Sequence, residues 1–220
     1  MPQNEADRLK ALEEFRILDT APEQIFDDLV EIAGQVLGAP VSLITLVDES
    51  RQWFKARRGF DRTETPREHA FCAHTILGTA PLVVPDAQRD PRFADNPYVT
   101  EGPGIRFYAG APLRSPDGHA LGSLCVVDWT PREFTEAQGR TLEALARQAS
   151  ALLEWRRTML HLADALKRIH SLDGLIPICS TCKDVREEEG RWEKVERFVM
   201  DRSTMRFTHG LCPSCAGGHG

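Results

Sequence analysis

Nowhere does the sequence run apolar for the roughly 20 residues that a membrane-spanning helix requires. Its opening stretch, MPQNEADRLKALEEF, is charged from the start and lacks the apolar core of a signal peptide. These absences point to the cytoplasm and away from a membrane. Basic residues are also in short supply: 27 Lys and Arg stand against 33 Asp and Glu, a formal net charge of -6. No basic stripe is present that could neutralise a run of phosphates, so nucleic acid is not an expected partner. Low-complexity tracts and internal repeats are missing too. With 41% hydrophobic and 27% charged residues over 220 positions, the chain has the balance of a folded protein of one ordinary domain plus an appendage, or two modest domains. In a reducing compartment its six cysteines do not read as a disulfide framework, which turns attention to metal or redox chemistry.

Apolar residues at helical spacing predict an amphipathic helix over 5–18 and a second one after Thr20, which can form a capping box with Glu23. Gly38 and Pro40 stop that second helix. VSLITLVD and RQWFKARRG read as a hairpin, REHAFCAHTIL as a helix and PLVVPDA as a short buried strand. RDPRFADNPYVTEGPG is a long loop of the kind that often binds ligands. IRFYAGAPLRS and ALGSLCVVDW flank Asp117-Gly118, a strong hairpin signal. Helix, hairpin, helix, strands, hairpin and helix in this order predict an α+β domain built on an antiparallel sheet.

Thr135 and Gln138 form a further capping box, after which neither Pro nor Gly interrupts residues 140–173. A helix of roughly 35 residues would be about 50 Å long and would outrun a domain of this size. Leu145, Leu152, Met159 and Leu166 at one heptad position, with Leu142, Ala149, Arg156 and Ala163 at the other, give a seam suited to a parallel coiled coil. The plainer reading is a terminal helix lying on its own sheet.

ILDTAPEQIFDDLVEIA, SLITLVDESRQWFKARRG, ETPREHAFCAHTIL, PLVVPDAQRDPRFADNPYV, IRFYAGAPL and LGSLCVVD together resemble a bacterial GAF domain of the type found in front of histidine kinases and diguanylate cyclases. The resemblance implies a six-stranded antiparallel GAF sheet flanked by helices, a small-molecule or cofactor pocket on one face, and a homodimer formed through the terminal helices. The resemblance covers about residues 5–157, and with the composition break at HSLDGLIP it suggests a GAF domain over 1–157, a helical linker or coiled coil over 158–173, and a small tail domain over 174–220.

In the tail, Cys179, Cys182, Cys212 and Cys215 form two Cys-x-x-Cys pairs. Such turns converge two thiolates on one ion, and two of them complete a tetrahedron. Four soft thiolates favour zinc or an iron-sulfur cluster over magnesium or calcium. A tail of about 45 residues lies close to the size that needs a metal to fold alone, which makes structural zinc the economical reading. His209, three residues before Cys212, is the alternative ligand. EGRWEKVERFVMDRS suits a short helix with Trp192, Val195, Phe198 and Val199 inward. The tail also resembles a small module appended to bacterial GAF, PAS and receiver domains.

For the pocket, Cys72 and His74 in HAFCAHTIL allow bilin linkage, haem ligation or a redox thiol, against the plainer reading of a buried cysteine and a hydrogen-bonded histidine. Cys125 reads as inert core. Trp53, Phe54, Arg106, Phe107 and Tyr108 interleave aromatics with cations, as a site for a flat or anionic molecule would, although strand alternation lets only about half of them face it. The expectation is a cytoplasmic signalling protein without enzymatic activity, whose GAF domain senses an unidentified ligand and whose output passes to a partner protein. Alternatives are a haem, flavin or iron-sulfur sensor, a structural adaptor with an empty pocket, and, more distantly, a thiol-based reductase.

Overall fold

The computed structural model describes residues 4–101, 104–170, 177–187, 190–202, 206–208 and 210. Two compact units divide the chain, Met1–Leu160 and His161–Gly220. The first begins with α1 (Glu5–Glu14) and α2 (Gln24–Leu37), followed by the strands β1 (Val41–Val47), β2 (Arg51–Arg58) and β3 (Glu64–Pro66). After them come α3 (Phe71–Thr75), β4 (Leu82–Val84), α4 (Pro97–Thr100), β5 (Phe107–Arg114), β6 (Ala120–Asp128) and the long α5 (Glu136–His170), whose residues from His161 on fall in the second unit. The second unit holds β7 (Val185–Arg186), β8 (Trp192–Glu193) and α6 (Val195–Arg202).

Six strands pair antiparallel in the order β3-β2-β1-β6-β5-β4, as the α+β reading requires. β1 and β6, in the middle, are buried along nearly their whole length because both faces of the sheet are covered. Alternation divides their side chains. Ile44, Leu46, Leu124 and Val126 pack under α1, α2 and α5, together with Leu12, Phe26, Ala33, Leu142 and Ala149. Val41, Leu43, Cys125 and Val127 face the opposite layer, made of α3 and the loop carrying Phe93, Val99 and Ile105.

Local chemistry moved several expected boundaries. α1 ends at Glu14 because Arg16 and Asp19 adopt left-handed φ values of 46° and 58°. Thr20 does not cap α2: its hydroxyl donates to the Ile17 carbonyl at 2.7 Å and accepts from Lys55 at 3.0 Å. Gly38, at φ 63°, closes α2 in the left-handed conformation that glycine adopts without steric cost. The Thr135 capping box does form, the Gln138 N–H meeting the Thr135 hydroxyl at 3.2 Å and the Thr135 N–H meeting Gln138 Oε1 at 2.9 Å.

α5 runs for 35 residues. The second half of the expected seam is taken up by the domain itself, since Leu142 and Ala149 are fully buried in the core beside Ala146 and Leu153. Arg156 turns to the carbonyls of Phe15 and Arg16. Among the described side chains of α5, the large apolar ones that are exposed are Trp155, Met159, Leu162 and Leu166. In the tail, Glu187 and Arg191 close a turn in which Gly190 takes φ 87°, so the helix starts only at Val195. Trp192, expected inward, lies on β8 and is exposed. No described helix is long and apolar enough to cross a membrane.

Candidate functional site

Between α3 and the sheet lies a cavity of about 40 Å³, walled by apolar side chains including Leu43, Phe54, Phe71 and Val127. Its polar contributions come from Gln52, Thr65, His69, Cys72, Tyr108 and Cys125. Gln52 and Phe54 alternate with Trp53 on β2, which sends the first two to the cavity and Trp53 to the helix-side core. The Gln52 side chain is 5% exposed, and its Oε1 has no hydrogen-bond partner among the described residues. An unmatched buried carbonyl is costly, so a donor placed in this cavity would be held there.

Tyr108 forms the floor. A methyl group at Gly110 would overlap the Tyr108 hydroxyl, so glycine is what allows the ring to lie along the strand. The hydroxyl then sits 2.6 Å from Thr75 Oγ1 and donates to Cys72 Sγ at 3.4 Å. Cys72 Sγ lies 3.7 Å from Cys125 Sγ. Burial alone would raise the Cys72 thiol, but hydrogen bonds from Cys125, Ser123, Thr45 and Tyr108 outweigh it and bring it to about 7. The hydrogen bond to Cys72, with burial, pushes Cys125 well up, and burial beside the cysteines does the same to Tyr108. The rim is ordered by Asn96, which donates to the His69 carbonyl at 2.9 Å, and by the Tyr98 ring set edge-on to His69.

Of the residues singled out in the sequence, Phe54, Cys72 and Tyr108 line this cavity. Trp53 and Phe107 belong to the other face of the sheet, where Phe107 packs on Phe134. Arg106 forms a two-point ion pair with Asp86, both contacts at 3.0 Å, and is not part of the cavity wall. His74 packs edge-on against Phe93 and lines a surface groove with Arg67 and Glu68. Burial and the neighbouring Arg92 hold its imidazole below the usual value, favouring the neutral form. Gln52, Thr65, His69 and Cys125 went unnoticed as cavity residues because a strand glutamine reads as solvent-facing and a strand cysteine as core.

Behind the cavity, strand alternation puts Lys55 on the helix side with Trp53, and a bulge between β1 and β2 brings Ala56 to that side as well. Its Nζ is fully buried and donates to Glu23 Oε1 at 2.7 Å and to the Ala21 carbonyl at 2.8 Å. The same Glu23 oxygen accepts from Arg156 of α5 at 2.9 Å. Strand β2 therefore faces the cavity through Gln52 and Phe54 and reaches the long helix through Lys55.

In the tail, the N–H groups of Cys182 and Thr181 hydrogen-bond the Cys179 sulfur and lower its pKa, the arrangement that supports a thiolate in a metal knuckle. Lys183 follows in the left-handed region at φ 63°. Cys212, Cys215 and His209 lie outside the described residues, and among the described residues no group of three ligands gathers.

A six-stranded antiparallel sheet with α1, α2 and α5 on one face and a small cavity under α3 on the other defines the class of α+β domain. The GAF domain profile matches residues 21–153, and the chain belongs to the GAF domain family. A cyclic di-GMP phosphodiesterase of Pseudomonas aeruginosa is 41% identical over 158 residues, which cover 71% of this chain and 27% of that protein. The expectation of a protein without enzymatic activity is corrected here, because this relative is named as an enzyme. The GAF domain of an Acinetobacter phosphoenolpyruvate-protein phosphotransferase superposes with a TM-score of 0.53 at 19% identity, covering 72% of this chain and 97% of that one. The free methionine-R-sulfoxide reductase of Neisseria meningitidis, solved with its substrate, superposes with a TM-score of 0.52 at 18% identity, covering 72% of this chain and 95% of that one. At these identities the two structures establish the fold alone.

Proposed function

We propose that the chain senses a small molecule in the cavity under α3 and passes occupancy to α5 through the Lys55, Glu23 and Arg156 linkage. The observation that carries this reading is the double role of β2, whose Gln52 and Phe54 wall the cavity while Lys55, on the same strand, is bonded to the carboxylate that holds Arg156. The ligand class is a compact, largely apolar molecule with one hydrogen-bond donor for Gln52 Oε1. Given the Pseudomonas relative, the signalling context is cyclic di-GMP turnover, with a partner protein receiving the output.

The reading also includes a homodimer, supported by the exposed apolar residues Ile25, Ile32 and Val36 on α2 and Trp155 and Met159 on α5. A zinc ion held by Cys179, Cys182, Cys212 and Cys215 would fold the tail, supported by the amide bonds at Cys179. Thermal melting of the intact chain against a panel of donor-bearing molecules of a few heavy atoms, such as short amides and alcohols, tests the sensor. At 100 times its Kd a true ligand raises Tm by roughly 5–10 °C. No shift across the panel favours a structural adaptor with a filled pocket.

A further inference from the structure

We infer that Cys72 and Cys125 form an intramolecular disulfide when a small hydroperoxide enters the cavity, making this site an oxidant-responsive thiol pair as well as a ligand pocket. This goes beyond the sensor reading and does not depend on the identity of its ligand. The two sulfurs are 3.7 Å apart on different elements, α3 and β6, and both border the same cavity. They are 1% exposed each, so the cavity is their approach, through a rim of half-buried Phe60, His69 and Tyr98. A volume of about 40 Å³ admits hydrogen peroxide, since a water needs only about 10–15 Å³. The same size excludes bulky peroxides.

The two thiols are unequal, as a reacting and a resolving cysteine must be. The Tyr108 hydroxyl donates to Cys72 Sγ at 3.4 Å and Cys125 Sγ lies 3.7 Å away, contacts that favour the Cys72 thiolate, while the hydrogen bond to Cys72 and burial favour the protonated Cys125. The Cys72 thiolate attacks one peroxide oxygen: an S–O bond forms, the O–O bond breaks, and hydroxide leaves to take a proton as water. The Cys125 thiol then attacks the Cys72 sulfur. An S–S bond forms, the S–O bond breaks, and the departing hydroxide leaves with the Cys125 proton as a second water. Two thiols are oxidised and one peroxide is reduced to two waters. Closing the sulfurs to about 2 Å draws α3 toward β6 and removes the sulfur acceptor that Tyr108 now uses.

The test uses the intact chain, treated with hydrogen peroxide, denatured in N-ethylmaleimide and cut with trypsin. Residues 68–89 and 115–132 form separate peptides that carry Cys72 and Cys125 as their sole cysteines. The expected product is these two peptides joined and unalkylated, restored to free peptides by dithiothreitol. A Cys125→Ser chain should instead trap a sulfenic acid at Cys72, read by dimedone addition. Full alkylation of both peptides while the tail cysteines oxidise, or linkage of Cys72 to a tail cysteine, would overturn the assignment. Because the primary readout is on the unaltered chain, misfolding of a variant cannot imitate either result.

Discussion

Glu23 holds Lys55 and Arg156 with one and the same oxygen, at 2.7 Å and 2.9 Å, so a buried strand cation and a helix guanidinium share a single counter-charge. Burial would raise this carboxyl, yet the bonds from Lys55 and Arg156 prevail and hold it below the usual range. Replacing Glu23 with Gln removes the only counter-charge shared by Lys55 and Arg156 among these contacts and leaves the buried Lys55 with neutral acceptors alone, the amide oxygen, the Thr20 hydroxyl and the Ala21 carbonyl. The expected loss is about 1–3 kcal/mol in urea denaturation, with the midpoint lowered and the slope unchanged.

Acid should act through the same kind of group at a second place. Burial alone would raise the Glu5 carboxyl; bonds from Arg8 and Arg67 hold it at about 2, well under 4.5. A carboxyl depressed in the folded state contributes stability that is fully present above about pH 4.5 and is lost as pH falls toward 2. Stability measured from pH 6 to pH 3 (about the accessible range for such carboxylates) should decline for the native chain. Glu5→Gln should flatten that decline.

The Tyr108 ring and Gly110 form another coupled pair. Gly110→Ala forces the ring away from Thr75 and Cys72, and overpacking of this kind costs about 1–3 kcal/mol. Tyr108→Phe keeps the ring and removes one hydroxyl, at about 1 kcal/mol. Calorimetry should rank the two in that order, and a reversed order would mean that the hydroxyl, rather than the ring position, holds α3.

For the dimer, Trp155 on α5 is 57% exposed in the single chain. Trp155→Glu should weaken self-association by about 2 kcal/mol, as loss of an interfacial tryptophan does. Sedimentation velocity across a concentration series reads this directly. A native chain that stays monomeric at every concentration removes the dimer from the proposal.

For the tail, elemental analysis of untagged protein should find one zinc per chain, and Cys179→Ser or chelation should release it. Sub-stoichiometric metal in freshly prepared protein, or a visible iron-sulfur band, would contradict zinc.

Much of this architecture was readable from residue order. The Asp117-Gly118 turn sets the register of β5 and β6, and the Thr135 to Gln138 box sets the start of α5. Strand parity was readable as well: Trp53 and Phe54 had to face opposite ways, and so did Phe107 and Tyr108. Which member of each pair met the cavity was not, because parity carries no sign until a third element covers one face. Thr20 failed as a cap because a lysine 35 residues away claims its hydroxyl, a contact no local pattern encodes. Gln52 and Cys125 became site residues only when α3 folded over them.

The claim that cavity occupancy reaches α5 is tested most directly by amide hydrogen exchange on the intact chain, with and without the panel compound that raises Tm most. Protection should change in β2, in the Glu23 turn and in α5 around Arg156 together, and the α5 change should vanish in Glu23→Gln. A change confined to α3 and the cavity rim, with α5 unaffected, would contradict the proposed route.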